Sequence, residues 1–129
     1  MSEATTTNLF RRKLARFFLD GGTSLGLKKF SFVVFGDGGH NTDGTSKSPN
    51  ADQTALRHEL IRKPVYSVMQ EDDYSSTGKG VLEKPDLVGS AISEAGLLDV
   101  DGNLLGFKNF APKIKESDET YEVSIKLKF

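Results

Sequence analysis

Gly36-Asp37-Gly38-Gly39, directly after the apolar run Phe30 to Phe35, is the first place where residue types suggest chemistry. A glycine-rich turn leaving a strand can aim backbone N–H groups at a phosphate. That use also needs a Gly-Lys-Ser/Thr entry into a helix, or Gly-x-Gly-x-x-Gly opening one, and neither pattern follows. Gly36, Asp37, Gly38 and Gly39 are therefore read as a structural turn in which glycine supplies positive φ. Asp37, His40 and Asp43 offer metal-ligand chemistry within one loop, but three such residues on a loop arise readily by chance, so no metal site is expected. Asp99 to Asn103 imitates the start of a calcium loop. The glycine of such a loop stands sixth and its glutamate twelfth, whereas here Gly102 comes too early and Phe110 takes the glutamate's place. Asp101 and Gly102 are assigned to a hairpin turn instead.

Two acid-base candidates remain. His40 and His58 are the only histidines, and composition permits a Ser–His–Asp arrangement, yet no nucleophile elbow is present. Glu94 lies inside an otherwise apolar strand. It is either a buried acid with a raised pKa or a carboxylate paired with backbone or arginine, and pairing is the commoner outcome. Neither supports an enzyme, and no cofactor is expected.

A charged surface is the other functional signal. Residues 1–30 carry Arg11, Arg12, Lys13, Arg16, Lys28 and Lys29 against Glu3 and Asp20. Apolar residues Leu9, Phe10, Leu14, Phe17 and Phe18 recur at helical spacing between the basic ones. Thr5, Thr6 and Thr7 offer N-cap hydroxyls, and Gly21-Gly22 a C-terminal stop. The basic face is either plainly solvated or docks on an acidic neighbour. A nucleic-acid role would want exposed aromatics beside the basic stripe, whereas Phe10, Phe17 and Phe18 are expected to face the core. Residues 5–19 also imitate an Arg-rich transit peptide, but an amphipathic docking helix is the preferred reading.

The elements that must position these residues follow from periodicity. Phe30 to Phe35 is apolar on nearly both faces and predicts a central strand. Residues 40–50 predict an exposed loop. Asn50 and Gln53 resemble a capping box opening a short second helix through Leu56, Leu60 and Ile61, stopped by Pro64. Strands are predicted over 65–70 and 77–83, around the acidic turn Glu71-Asp72-Asp73, and over 91–99 and 104–110, around the Asp-Gly hairpin. Tyr121, Val123, Ile125, Leu127 and Phe129 alternate with polar residues, predicting a half-buried terminal strand.

At 129 residues the chain is expected to form a single domain, with a docking helix over 1–22 and a mainly β body over 28–129. The expected class is α+β: the N-terminal helix and the short second helix on a mainly antiparallel sheet or small sandwich. Seventeen basic residues against eighteen acidic ones give a net charge of -1, which excludes a global attraction to nucleic acid or anionic membrane. With no cysteine, a disulfide framework and a thiolate metal site are both excluded. No apolar run approaches the roughly 20 residues that a membrane-spanning helix needs.

In their order along the chain, several segments resemble the phage tail-collar fibre family and the related small baseplate proteins of contractile tails. They are the N-terminal helix, Phe35-Gly36-Asp37-Gly38-Gly39, and Asp52-Gln53-Thr54-Ala55-Leu56 with Glu59, Arg62 and Pro64. They continue with Ile92 to Leu104, Asn109-Phe110-Ala111-Pro112-Lys113, and Glu119-Thr120-Tyr121-Glu122. The resemblance implies a non-enzymatic virion component, assembled in the host cytoplasm, that links a tail fibre protein to a baseplate protein as a homo-oligomer, a trimer being favoured. Collar-fibre proteins continue into a receptor-binding shaft, whereas this sequence stops at Phe129, which suggests a stand-alone adaptor. The expected docking residues are Arg11, Arg12, Arg16, Phe10, Arg62 and Phe129. The alternatives are a small-ligand- or metal-binding enzyme using the Gly-rich loop, and a nucleic-acid-binding module led by the basic helix.

Overall fold

Alternating and continuous apolar runs order nearly half of the chain as antiparallel strands in a computed structural model that describes residues 4–20 and 27–129. The elements are β1 (Thr5–Thr6), α1 (Asn8–Asp20), β2 (Phe30–Gly36), β3 (Glu59–Pro64), β4 (Ser67–Met69), β5 (Ser75–Leu82), β6 (Ala91–Asp99), β7 (Leu104–Ile114) and β8 (Tyr121–Lys128). They form a five-stranded sheet, β1-β7-β6-β2-β3, and a three-stranded sheet, β4-β5-β8. The apolar β2 has a neighbour on each side, as its composition predicts.

The two sheets face each other across one core. Val33 and Phe35 of β2, Ala95 and Leu97 of β6, and Leu105 of β7 meet Val123, Ile125 and Leu127 of β8, all buried. Glycines on the facing strands let the layers interlock. A Cβ at Gly78 would lie 2.3 Å from a Leu97 methyl, and one at Gly106 2.3 Å from a Leu127 methyl. Each leucine thus occupies space that the glycine opposite leaves open, so the sheets approach closely. On the other side of the large sheet, Val34, Leu98, Leu104 and Phe107 form a second cluster, capped by Leu56.

The second helix is replaced by strand. Asn50 Oδ1 accepts from the Asp52 N–H, closing a turn rather than a helical cap, and residues 59–64 pair with β2. Leu60 and Ile61, both half-buried, pack against the main core from β3. The result is a small sheet-rich fold with one helix among the described residues. The proposed Gly21-Gly22 stop lies outside them.

α1 begins where the sequence places its cap. Thr7, fully buried, accepts from the Phe10 N–H at 3.2 Å and donates to the Leu104 carbonyl at 2.7 Å. One hydroxyl therefore caps the helix and ties it to β7. Thr5 and Thr6 are not caps; they pair with β7 as β1. The β6–β7 hairpin turns through Gly102, whose φ of 84° is the left-handed conformation glycine adopts without strain.

Candidate docking surface

The Gly-rich loop after β2 is filled from within the protein. Glu94 of β6, opposite Gly36 in the strand register, is fully buried beneath it. Its Oε2 accepts from the Gly38 N–H at 2.7 Å and the His58 N–H at 2.9 Å, and its Oε1 from the Arg57 N–H at 2.9 Å. The Gly39 N–H donates to Ser93 Oγ at 2.9 Å. The donors that a phosphate would need are thus held by a carboxylate and a hydroxyl of the neighbouring strand, and Glu94 is paired with backbone. The glycines are required by crowding rather than by positive φ, which only Gly44, Gly89 and Gly102 adopt among the described glycines. A Cβ at Gly39 would meet the Ser93 carbonyl oxygen at 2.1 Å, and one at Gly36 the His58 carbonyl oxygen at 2.3 Å.

The candidate ligand and triad residues fall into separate pairs rather than one cluster. Asp37 bonds His58 Nδ1 at 2.5 Å, and this carboxylate holds the His58 pKa above its ordinary value. His40 Nδ1 lies 2.7 Å from Ser93 Oγ, in a different pair. Asp43 accepts from Thr45, whose hydroxyl lowers its pKa. Among the described residues no group of three His, Cys, Asp or Glu side chains is placed to hold a metal ion. Asp101 forms an ion pair with Lys28 at 2.7 Å, and the neighbouring Asp99 carboxylate accepts from the Asp101 and Asn103 N–H groups, as a hairpin turn requires. A cleft of about 370 Å³ opens between β7 and β8 beside Lys108, Phe110 and Tyr121. Burial there lowers the Lys108 pKa and raises that of Tyr121.

Of the predicted docking residues, Arg11, Arg12 and Arg16 are exposed on α1 and form no ion pair among the described residues. Phe10 is not available for docking. It is 5% exposed in the core and stacks edge-on against Phe129, ring centroids 5.8 Å apart. Phe129 remains half exposed. Arg62 stands away from α1, on β3, paired with Glu59 at 3.2 Å.

The predicted single aromatic face of the helix divides. Phe10 and Leu14 pack inward, whereas Phe18 is 78% and Leu19 88% exposed. At 100° per residue Leu19 falls beside Arg12 and opposite Phe10, so the helical wheel alone carries this signal. A second exposed apolar group was not anticipated from the sequence: Tyr66, Val68, Met69 and Tyr74, around the β4–β5 hairpin. Its signal is positional, because β4 is the outer strand of the small sheet. Two exposed apolar groups, one basic and one acidic in surroundings, are thus the prominent surface features. No protein-family model matches the chain, and no curated protein or solved structure is found to be similar to it.

Proposed function

We propose that this protein is a non-catalytic assembly part. It is an adaptor of a phage tail or contractile injection baseplate that bridges a baseplate protein and a tail fibre protein by non-covalent contacts, as a homo-oligomer with a trimer favoured. The tail assignment follows from the ordered sequence resemblance. The assembly role is supported by one observation above all, the outer face of α1. That face combines two strongly exposed apolar side chains, Phe18 and Leu19, with three arginines that have no ionic partner among the described residues. Large apolar side chains beside arginine are the usual composition of interface anchors. The same helix is fastened to the body by Thr7, Phe10 and Leu14, so the face is presented on a fixed support.

The test is charge reversal, Arg12→Glu with Arg16→Glu. Exposed charges contribute about 0–1 kcal/mol to folding, so the melt of the isolated protein should barely move. Assembly into tail particles should fail or slow, most at low salt where repulsion is least screened. Exposed Phe18 beside the arginines also suits nucleic acid, so salt-dependent DNA binding is measured in parallel. A double variant that assembles normally sinks the docking role, and one that loses only DNA affinity replaces it with the nucleic-acid reading.

A further inference from the structure

The second exposed apolar group carries charge of the opposite sign to the first. Tyr66, Val68, Met69 and Tyr74 are each more than half exposed, at 66%, 52%, 55% and 73%. Between Met69 and Tyr74 the hairpin holds Glu71, Asp72 and Asp73. Glu71 and Asp72 share one cation, Lys126, at 3.7 Å and 3.0 Å, and Asp73 makes no ion pair among the described residues. The hairpin therefore keeps a net negative charge. α1 lies against β7 of the large sheet and reaches the hairpin's Tyr74 through Phe129, which stacks on Phe10 and gives its N–H to the Tyr74 carbonyl; no ion pair joins α1 and the hairpin within one copy among the described residues.

We propose that the outer face of α1 docks on the β4–β5 hairpin of a second copy of this chain, head to tail. The proposal rests on the reading of α1 as a docking surface and names its partner. Phe18 and Leu19 would cover Met69, Tyr66 and Tyr74, while Arg11, Arg12 and Arg16 meet Glu71 and Asp73. Both patches have the composition of interface cores, with Phe, Tyr, Met and Arg, and opposite charge fixes their mutual orientation. Because the two patches differ, each copy keeps one of each free after a first contact, and the contact repeats until a ring closes. Covering the β4 edge in this way also removes an unpaired strand edge from solvent.

The experiment uses the purified full chain, with mass measured by light scattering and sedimentation over about 1–200 µM, a range that reads Kd values down to the micromolar. Three variants are compared: Arg12→Glu/Arg16→Glu, Glu71→Lys/Asp73→Lys, and all four reversals on one chain. Asp72 is left intact because its carboxylate accepts the Tyr74 N–H and holds the turn. Wild type should form a multiple of the monomer mass, less so at high salt. Each double variant should associate about tenfold or more weakly, since like charges then face each other. Mixing the two double variants should restore association in assemblies that alternate the two, because both mixed contacts then pair opposite charges, and the quadruple reversal should restore it within one chain. Circular dichroism melts verify that all variants stay folded. A wild type that is monomeric throughout overturns the proposal, and so does a quadruple variant that stays monomeric. If wild type is monomeric but Arg12→Glu/Arg16→Glu still blocks particle assembly, self-docking falls while the docking role of α1 stands. If that double variant both self-associates and assembles like wild type, both fall.

Discussion

Replacing Glu94 with glutamine tests the account of the Gly-rich loop at its centre. The carboxylate takes three backbone N–H donors, two on Oε2 and one on Oε1, with no exposure to solvent. An amide of the same shape has only one acceptor atom. In its better orientation it keeps the Gly38 and His58 donors and turns an NH2 toward the Arg57 N–H. One stranded buried donor costs about 1–3 kcal/mol, and the two retained bonds each lose about 1 kcal/mol once their acceptor is neutral. Relief from burying a charge offsets part of this, leaving a net loss of about 2–4 kcal/mol. For a chain of this length that corresponds to roughly 6–16 °C in Tm. Calorimetry or a circular dichroism melt reads it, with urea unfolding as a second measure. A Glu94→Gln protein that melts within about 2 °C of wild type would refute the claim that the carboxylate organises this loop.

Other outcomes follow from the same packing. Deleting residues 125–129 removes the fully buried Ile125 and Leu127, each worth about 1.5–3 kcal/mol, so the cooperative melt should be lost; half-exposed Phe129 adds less, and a truncated chain that melts normally contradicts this. Gly39→Ala sets a methyl against the Ser93 carbonyl and should be more damaging than Gly78→Ala, whose obstacle is a Leu97 methyl. Adding Leu97→Ala should ease the crowding at residue 78, leaving chiefly the cavity cost of about 2–5 kcal/mol, whereas no side-chain truncation should rescue Gly39→Ala. An NMR titration should place the His58 pKa above the ordinary value near 6.5, and Asp37→Asn should lower it. Because the folded pKa is raised, the pair's contribution is fully present below the unfolded value and disappears as pH rises through the folded one. An unchanged His58 midpoint in Asp37→Asn would remove Asp37 as the cause.

What the sequence made legible was what neighbours in the chain decide. The alternation from Tyr121 onward, the Asp-Gly turn and a threonine cap are local signals, and the structure forms all three, with Thr7 alone as the cap and the strand ending at Lys128. The misreading over residues 50–64 has a non-local cause. Leu56, Leu60 and Ile61 are spaced as a helix would space them, but the backbone at Arg57 and His58 is held by Glu94, 36 residues or more further along. A short segment with weak helical signals yields to strand pairing with β2. The glycine loop reads from sequence as a turn needing positive φ, whereas its glycines answer to crowding by Glu94, Ser93 and the His58 backbone. Missing motif residues argue against a phosphate site, and only the fold reveals that an internal carboxylate accepts the N–H groups at Gly38, Arg57 and His58. On α1 the period was legible and the burial was not, because which arc of the helix meets β7 depends on a pairing nearly a hundred residues away.

These non-local ties also explain how a short helix can serve as a docking element. A 13-residue helix is marginal in isolation, and its orientation here is set almost wholly at its first turns. Thr7 bonds the carbonyls at Leu104 and Leu105, while Asn8 bonds Ala51 and Asp52 at the edge of the loop that covers the large sheet. The backbone a few residues on, at Arg57 and His58, is fixed in turn by Glu94. The direction in which Phe18 and Leu19 project is therefore set by the bonds at Thr7 and Asn8, on a chain segment that runs on to Arg57 and His58, whose backbone a buried carboxylate in the central strand holds. A rigidly held face loses less conformational freedom on binding than a free amphipathic peptide of the same sequence. Affinity of the docking face should accordingly depend on Thr7 and Glu94, which no partner touches, as well as on the arginines that one would.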